Sequence, residues 1–311
     1  MIKDLEHPVV SICIPVFNGE NYISEAINSV LAQSYTNFEL IIVDNCSTDS
    51  TGKIVREFYD KRIKYKKNEI NIGSIKNFNK CIEIASGEYF LLLPHDDLLL
   101  PGALRIFLDR LSDQDVGFVY SSILVIDEGG NEIGRTANQV EDQLFTSQEA
   151  VAEIVNFFVP IQLAMTRTTL LKDLGGFDAQ FGLFCDIHLW LRIIFKGWKT
   201  FYNHETLSCH RSHAQQGQKS FLESDLTAAS EHWGEKLDRK FWIKNSYNIH
   251  FFKLLRFLLS EIKANRYVIE EVENDLLKLF ARSHLRSLLL ALIKMKTFVL
   301  WQEFLIFKLL I

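Results

Sequence analysis

Three short polar clusters in this chain each follow an apolar run, and each is rich in groups that can bind or move charge. Pro15, Asn18 and Glu20 come after residues 9–14; Asp44, Asn45, Ser47 and Asp49 after 38–43; His95, Asp96 and Asp97 after 89–93. Asp, Asn and Ser also make turns and cap helices, and for Ser47 and Asp49 that plain reading stands beside a functional one. It explains His95-Asp96-Asp97 less well. Adjacent carboxylates at the end of an apolar run concentrate negative charge that a cation or hydrogen-bond donors must compensate. Hard oxygen ligands suit Mg²⁺ or Mn²⁺, whose shell is usually completed by phosphates and water, so the chemistry suggested is that of a nucleotide diphosphate held through a divalent ion. No Gly-x-Gly-x-x-Gly follows the first run and there is no Gly-Lys-Ser/Thr loop, which argues against a dinucleotide dehydrogenase and a P-loop ATPase. The lack of a Gly-rich, Lys/Arg-bearing triphosphate loop disfavours a nucleotidyltransferase.

The elements that must position these groups follow from periodicity. Residues 9–15 read as a strand closed by Pro15, and Tyr22, Ile23, Ala26, Ile27, Val30 and Leu31 recur behind it at helical spacing. Residues 38–43 and then Ile54, Val55 and Phe58 repeat the unit. A weaker strand at 63–66 precedes a helix near 74–85, and 89–93 is a strand broken by Pro94. The alternation predicts an α/β fold with a mainly parallel sheet, helices on both faces, and ligands beyond the carboxyl ends of the strands. Past Pro101 a helix to about 111, a strand at 116–126, a turn at 127–131 and a less regular section to about 215 are expected. From about 221 the chain is nearly free of Gly and Pro and predicts a helical appendage.

Taken in order, the motifs resemble the inverting glycosyltransferases of family 2, which have the GT-A fold. Ser11-Ile12-Cys13-Ile14-Pro15-Val16-Phe17-Asn18 looks like the family's first strand and nucleotide loop, and Ile41-Ile42-Val43-Asp44-Asn45-Cys46-Ser47-Thr48-Asp49 like its second strand. Asn71-Ile72-Gly73 is similar to its Asn-x-Gly segment, and Pro94-His95-Asp96-Asp97 stands where the family has Asp-x-Asp, with His95 in place of the usual first Asp. Gly175-Gly176-Phe177-Asp178 and Cys185-Asp186-Ile187-His188-Leu189-Trp190-Leu191-Arg192 look like the acceptor half, with Cys185 replacing a Glu and His188 an Asp.

The resemblance covers about residues 8–215 and implies a GT-A domain over 1–220, with a nucleotide half at about 1–100 and an acceptor half at 101–220. It implies that Asp186 is the catalytic base, that Asp44 contacts the base of the nucleotide, that Asp96 faces the ribose, and that Asp97 binds Mn²⁺ or Mg²⁺. Arg211 and His213, from Cys209-His210-Arg211-Ser212-His213, would lie near the diphosphate or metal, His213 as a further metal ligand. Pro15, Val16, Asn18, Glu20, Ser47, Asn71, Gly73 and Asn77 complete the implied donor site. The expected reaction moves a sugar, hexosyl or deoxyhexosyl, from a nucleotide-diphosphate donor to a hydroxyl of a glycan or lipid-linked glycan, in surface polysaccharide assembly. The His95 and Cys185 replacements also fit a degenerate domain that binds nucleotide or glycan as a scaffold. His188 reads as a surface histidine, and Trp190, Phe195 and Trp198 as core. His204, His210 and His213 lack the partners of a zinc site.

Composition agrees with a folded domain: 311 residues, 48% hydrophobic and 23% charged, with 15 Gly and 5 Pro. The five cysteines, 13, 46, 81, 185 and 209, form no Cys-x-x-Cys and read as reduced thiols of a cytoplasmic protein. Neither a signal peptide nor a spanning helix is expected. Residues 1–235 carry 20 Lys and Arg against 32 Asp and Glu, a balance of −12, while 236–311 carry 14 against 7, or +7. The basic, apolar helices predicted over 221–311 suit either an anionic membrane surface, making the protein peripheral at the inner face of the membrane, or packing on the catalytic domain or a second copy. No nucleic-acid partner is expected.

Overall fold

The structure, a computed structural model, describes residues 9–136, 141–157 and 164–213. The helical appendage expected over 221–311, and with it the membrane or oligomer contact, lies outside the described residues.

The first half is built from strands β1 (Val10–Val16), β2 (Phe38–Asp44), β3 (Ile63–Lys67) and β4 (Tyr89–Leu92), all parallel, in the order β3-β2-β1-β4. Register pairs Val10 with Phe38 and Tyr89, and Val16 with Asp44, so the two central strands end together. Every residue of β1 is buried because both faces are covered. Ile12, Ile14 and Val16 share a core with Ile23, Ala26, Ile27 and Val30 of α1 (Ile23–Leu31), and the Cys13 thiol on the opposite face reaches the carbonyl of Cys81 in α3 (Ser74–Ile84). Between β2 and β3 lies the short α2 (Thr51–Arg56). The mainly parallel sheet read from the sequence is found here.

Beyond it come β5 (Leu98–Leu99), α4 (Ala103–Leu111), β6 (Val116–Ile126), β7 (Glu132–Thr136), β8 (Gln143–Phe145), α5 (Ser147–Phe157), β9 (Met165–Arg167), α6 (Thr168–Asp173), a 3-10 segment at Ala179–Phe184, α7 (Cys185–Phe195) and β10 (Lys199–Arg211). The stretch expected to be irregular is therefore regular in most of its described part. Strand β9 runs antiparallel between β4 and β6 and joins the two halves into one sheet. Strand β10 runs parallel to β6 with register shifts near Asn203–Ser208. These shifts hide it in the sequence, because they break the period-two alternation that marks a strand.

Helix α7 packs on this sheet through Trp190, whose ring stacks on Phe118 at 4.3 Å, so the core reading of Trp190 is correct. His188 is not a surface residue. It is only 4% exposed, and its ring lies flat on Phe181 with centroids 3.5 Å apart. Cys13, Cys81, Cys185 and Cys209 are buried, and all five cysteines are free thiols.

Candidate active site

The loops after β1 and β2 are fastened to each other by side-chain-to-backbone hydrogen bonds. Ser47 Oγ accepts from the N–H of Asn18, Asn18 Oδ1 from Thr48, Thr51 Oγ1 from Gly19, Asp49 Oδ2 from Glu20 and Glu20 Oε2 from Ser50, all at 2.8–3.0 Å. Asn18 takes a left-handed conformation with φ 52°, which Asn tolerates better than most residues. Gly19 sits under the His95 ring, where a Cβ would lie 2.5 Å from Cδ2, so the replacement at 95 is accommodated by a glycine.

Asp44, expected to contact a base, is fully buried. Its Oδ1 accepts from the Ser47 N–H at 2.7 Å and its Oδ2 from the Tyr65 hydroxyl at 2.6 Å, so both oxygens shape the loop. Ser47 and Asn77 are also buried and committed, Asn77 donating to the Val43 carbonyl and accepting from Asn68. The hub of this region is Asn45, which the sequence reading named in the second polar cluster but did not include in the implied donor site. Its side chain is 3% exposed, accepts from Asn68 and from the Ile72 N–H, and donates to Asn71 Oδ1 at 2.7 Å; that same oxygen receives the N–H of Gly73. Pro15 and Val16 end β1 in the floor, while Asn18, Glu20 and Asn71 stand at its exposed rim.

The two aspartates after β4 differ sharply. Asp97 is completely buried; its Oδ1 accepts from the Arg211 N–H at 2.9 Å, and His210 Nδ1 lies 3.2–3.3 Å from its two oxygens. Burial pushes the Asp97 carboxyl above the usual carboxylate range, against the His210 hydrogen bond, and that bond in turn lifts His210 above the ordinary imidazole value. With its oxygens so occupied, Asp97 is a poor candidate for the metal ligand that the motif implied. Asp96 instead meets His213, Oδ2 to Nε2 at 2.9 Å.

Arg211 also differs from expectation. Its side chain is only 1% exposed, and its donors are turned to groups of the protein. Nε donates to the Asp96 carbonyl at 3.0 Å, Nη1 points to the Asp127 and Glu128 carbonyls at 3.4 and 3.2 Å, and Nη2 pairs with Glu25 at 2.7 Å. The guanidinium lies 4.7 Å over the Tyr22 ring, and that ring meets His213 at 5.1 Å. Glu25 escaped the sequence reading, which took Tyr22 only as an apolar helix position and His210 only as a histidine without zinc-site partners; the i, i+3 spacing of Tyr22 and Glu25 at the start of α1 is the signal that could have marked that pair.

Among the described residues, no three His, Cys, Asp or Glu side chains converge into a preformed metal cage. One carboxylate and one imidazole are nevertheless a donor set that fits Mn²⁺, with phosphate oxygens and water completing the shell.

Asp186 lies partly exposed in the first turn of α7, where a helix N-terminus favours an anion, and its Oδ1 is 2.8 Å from the N–H of Ile187. The chain is led there through Gly175-Gly176-Phe177. Gly176 has φ 71°, and a Cβ on it would lie 2.4 Å from Asn79 Oδ1. Asn79, on α3, brackets Phe177 by accepting its N–H and donating to its carbonyl, both at 2.8 Å. Arg192 of α7 donates to the carbonyls of Leu174 and Gly176, so the turn and the helix hold each other.

Comparison with known proteins agrees with this architecture. The sequence model described as Glycosyl transferase family 2 matches residues 11–175. An uncharacterized glycosyltransferase of Rickettsia typhi is 32% identical over 228 residues, 71% of this chain and 70% of the relative. The putative teichuronic acid biosynthesis glycosyltransferase TuaG of Bacillus subtilis is 27% identical, over 66% of this chain and 79% of its own length. Among solved structures, S. aureus TarS 1-349 in complex with UDP-GlcNAc aligns with a TM-score of 0.56 and 23% identity, over 78% of this chain and 72% of that one. Mannosyltransferase PcManGT from Pyrobaculum calidifontis, in complex with GDP-Man and Mn²⁺, aligns at 0.54 with 18% identity, covering 92% and 79%.

Proposed function

The chain belongs to glycosyltransferase family 2, and from that we propose that it is a metal-dependent inverting transferase, moving a hexosyl or deoxyhexosyl unit from a nucleotide diphosphate to a hydroxyl of a glycan or lipid-linked glycan in surface polysaccharide assembly. The observation that carries the donor side is the Asp96–His213 pair, 2.9 Å apart beyond the carboxyl ends of the parallel strands. Asp96 and His213 would hold Mn²⁺ or Mg²⁺, and the ion would neutralise charge on the departing diphosphate. Asp97 then holds the strand end in place, so the metal moves from Asp97 to Asp96 relative to the motif reading. The UDP-GlcNAc bound to TarS and the GDP-Man and Mn²⁺ bound to PcManGT support a donor of this class, and TuaG supports the polysaccharide setting. Peripheral attachment at the cytoplasmic face of the membrane suits a lipid-linked acceptor.

In the transfer, Asp186 takes the proton of the acceptor hydroxyl as its oxygen bonds to the anomeric carbon. The bond from that carbon to the donor's phosphate oxygen breaks, and the diphosphate leaves with the electron pair. Asp186→Asn keeps the shape and removes the base. Transfer from a panel of nucleotide sugars to a lipid-linked acceptor is expected to fall by at least about a thousandfold in this variant, with nucleotide-diphosphate affinity unchanged. Undiminished turnover would remove the base assignment, and the absence of product from the wild type with any donor would favour a binding scaffold.

A further inference from the structure

Resting on the donor-site reading above, we propose that Arg211 is a positioning residue that builds the Asp96–His213 pair without touching the donor. Its buried guanidinium is a common fastening point of three segments. It holds the Asp96 carbonyl through Nε, the 127–128 turn after β6 through Nη1, and Glu25 on α1 through Nη2. Its face carries Tyr22, and His213 packs against that same ring, so one side chain sets the backbone of one member of the pair and the packing surface of the other. The Arg211 N–H meanwhile occupies Asp97, which leaves Asp96 as the aspartate facing His213. A planar fork that hydrogen-bonds in its plane and stacks on an aromatic ring is specific to arginine; lysine keeps the charge and loses both features.

The deciding experiment is binding, on full-length Arg211→Lys. Mn²⁺ affinity is read from the electron paramagnetic resonance of the free ion, alone and with UDP or GDP, and UDP and GDP affinities are read calorimetrically in metal-free buffer. Groups that orient a metal ligand typically govern its affinity by about 10–100-fold. The expected result is therefore at least a tenfold loss of Mn²⁺ affinity with metal-free nucleotide affinity unchanged. Unchanged Mn²⁺ affinity overturns the proposal, and so does weakened metal-free nucleotide binding, which would put Arg211 on the diphosphate. If Arg211→Lys does not fold, Tyr22→Leu and Glu25→Gln are judged by the same two readouts. A wild-type protein that binds neither nucleotide nor Mn²⁺ would overturn the donor-site reading instead, a result separate from any difference between variants.

Discussion

At the scale of single residues, Asp96 and Asp97 show how neighbours in sequence can do unrelated work. Asp97 receives the Arg211 N–H and faces His210 in a fully buried position, whereas Asp96 meets His213. Asp97→Ala orphans buried donors, at a cost of about 1–3 kcal/mol, and is expected to lower the melting temperature with or without Mn²⁺. Asp96→Ala, which takes the partner from a largely buried His213, is expected to lower the metal-free melting temperature as well, and in addition to lose the stabilisation that Mn²⁺ with a nucleotide diphosphate gives the native state. Thermal unfolding of both variants with and without Mn²⁺ and nucleotide checks this, and a Mn²⁺-dependent shift kept in Asp96→Ala but lost in Asp97→Ala would return the metal to Asp97. The sequence showed that carboxylates end this strand, but not which one turns inward. That choice depends on β10, a partner more than a hundred residues away. The expectation for Arg211 came from the resemblance of 209–213 to the family's motif, which carries no sign of the carbonyls that its guanidinium meets.

At the scale of elements, the repeated strand-helix units of the first half were legible because each strand is buried on both faces and each helix keeps one apolar stripe. Strand β10 was not, because its register shifts interrupt the alternation. Helix α7 was found from its motif, yet the setting of His188 was missed: an imidazole between apolar neighbours gives no sign of whether its face is covered. Burial against Phe181 and the neighbouring Arg192 hold its pKa at about 4, down from 6.5. The unfolded chain therefore takes up a proton as pH falls below 6.5, while the native imidazole stays neutral down to about 4. The native state binds fewer protons across that window, so this contribution to stability is complete above 6.5 and is lost toward 4. His188→Phe keeps an aromatic face on Phe181 and is expected to remove up to about 3 kcal/mol of the decline. Denaturant unfolding across that pH range checks it; parallel curves for the two proteins would show that His188 does not titrate in this way.

At the scale of the whole molecule, the two halves of the described domain share one sheet through β9 and meet again where Asn79 brackets Phe177. The order of motifs along the chain made both halves readable, but the joints between them are made by single amides and short antiparallel strands that carry no periodic signal. The fastening of the 17–20 loop to the 47–51 loop has a consequence for motion. Loop amides ordinarily exchange their hydrogens with water quickly, because nothing must open first. Here the amides of Asn18, Gly19, Glu20, Ser50 and Thr51 are each given to a side chain, most of them on the opposite loop, so releasing one strains the rest. Deuterium uptake at these positions without nucleotide is expected to be slow, close to that of β1; rapid uptake would mean that the loops part freely. A floor already set at this rate leaves little ordering for an incoming nucleotide to complete, and its arrival there would be limited by encounter.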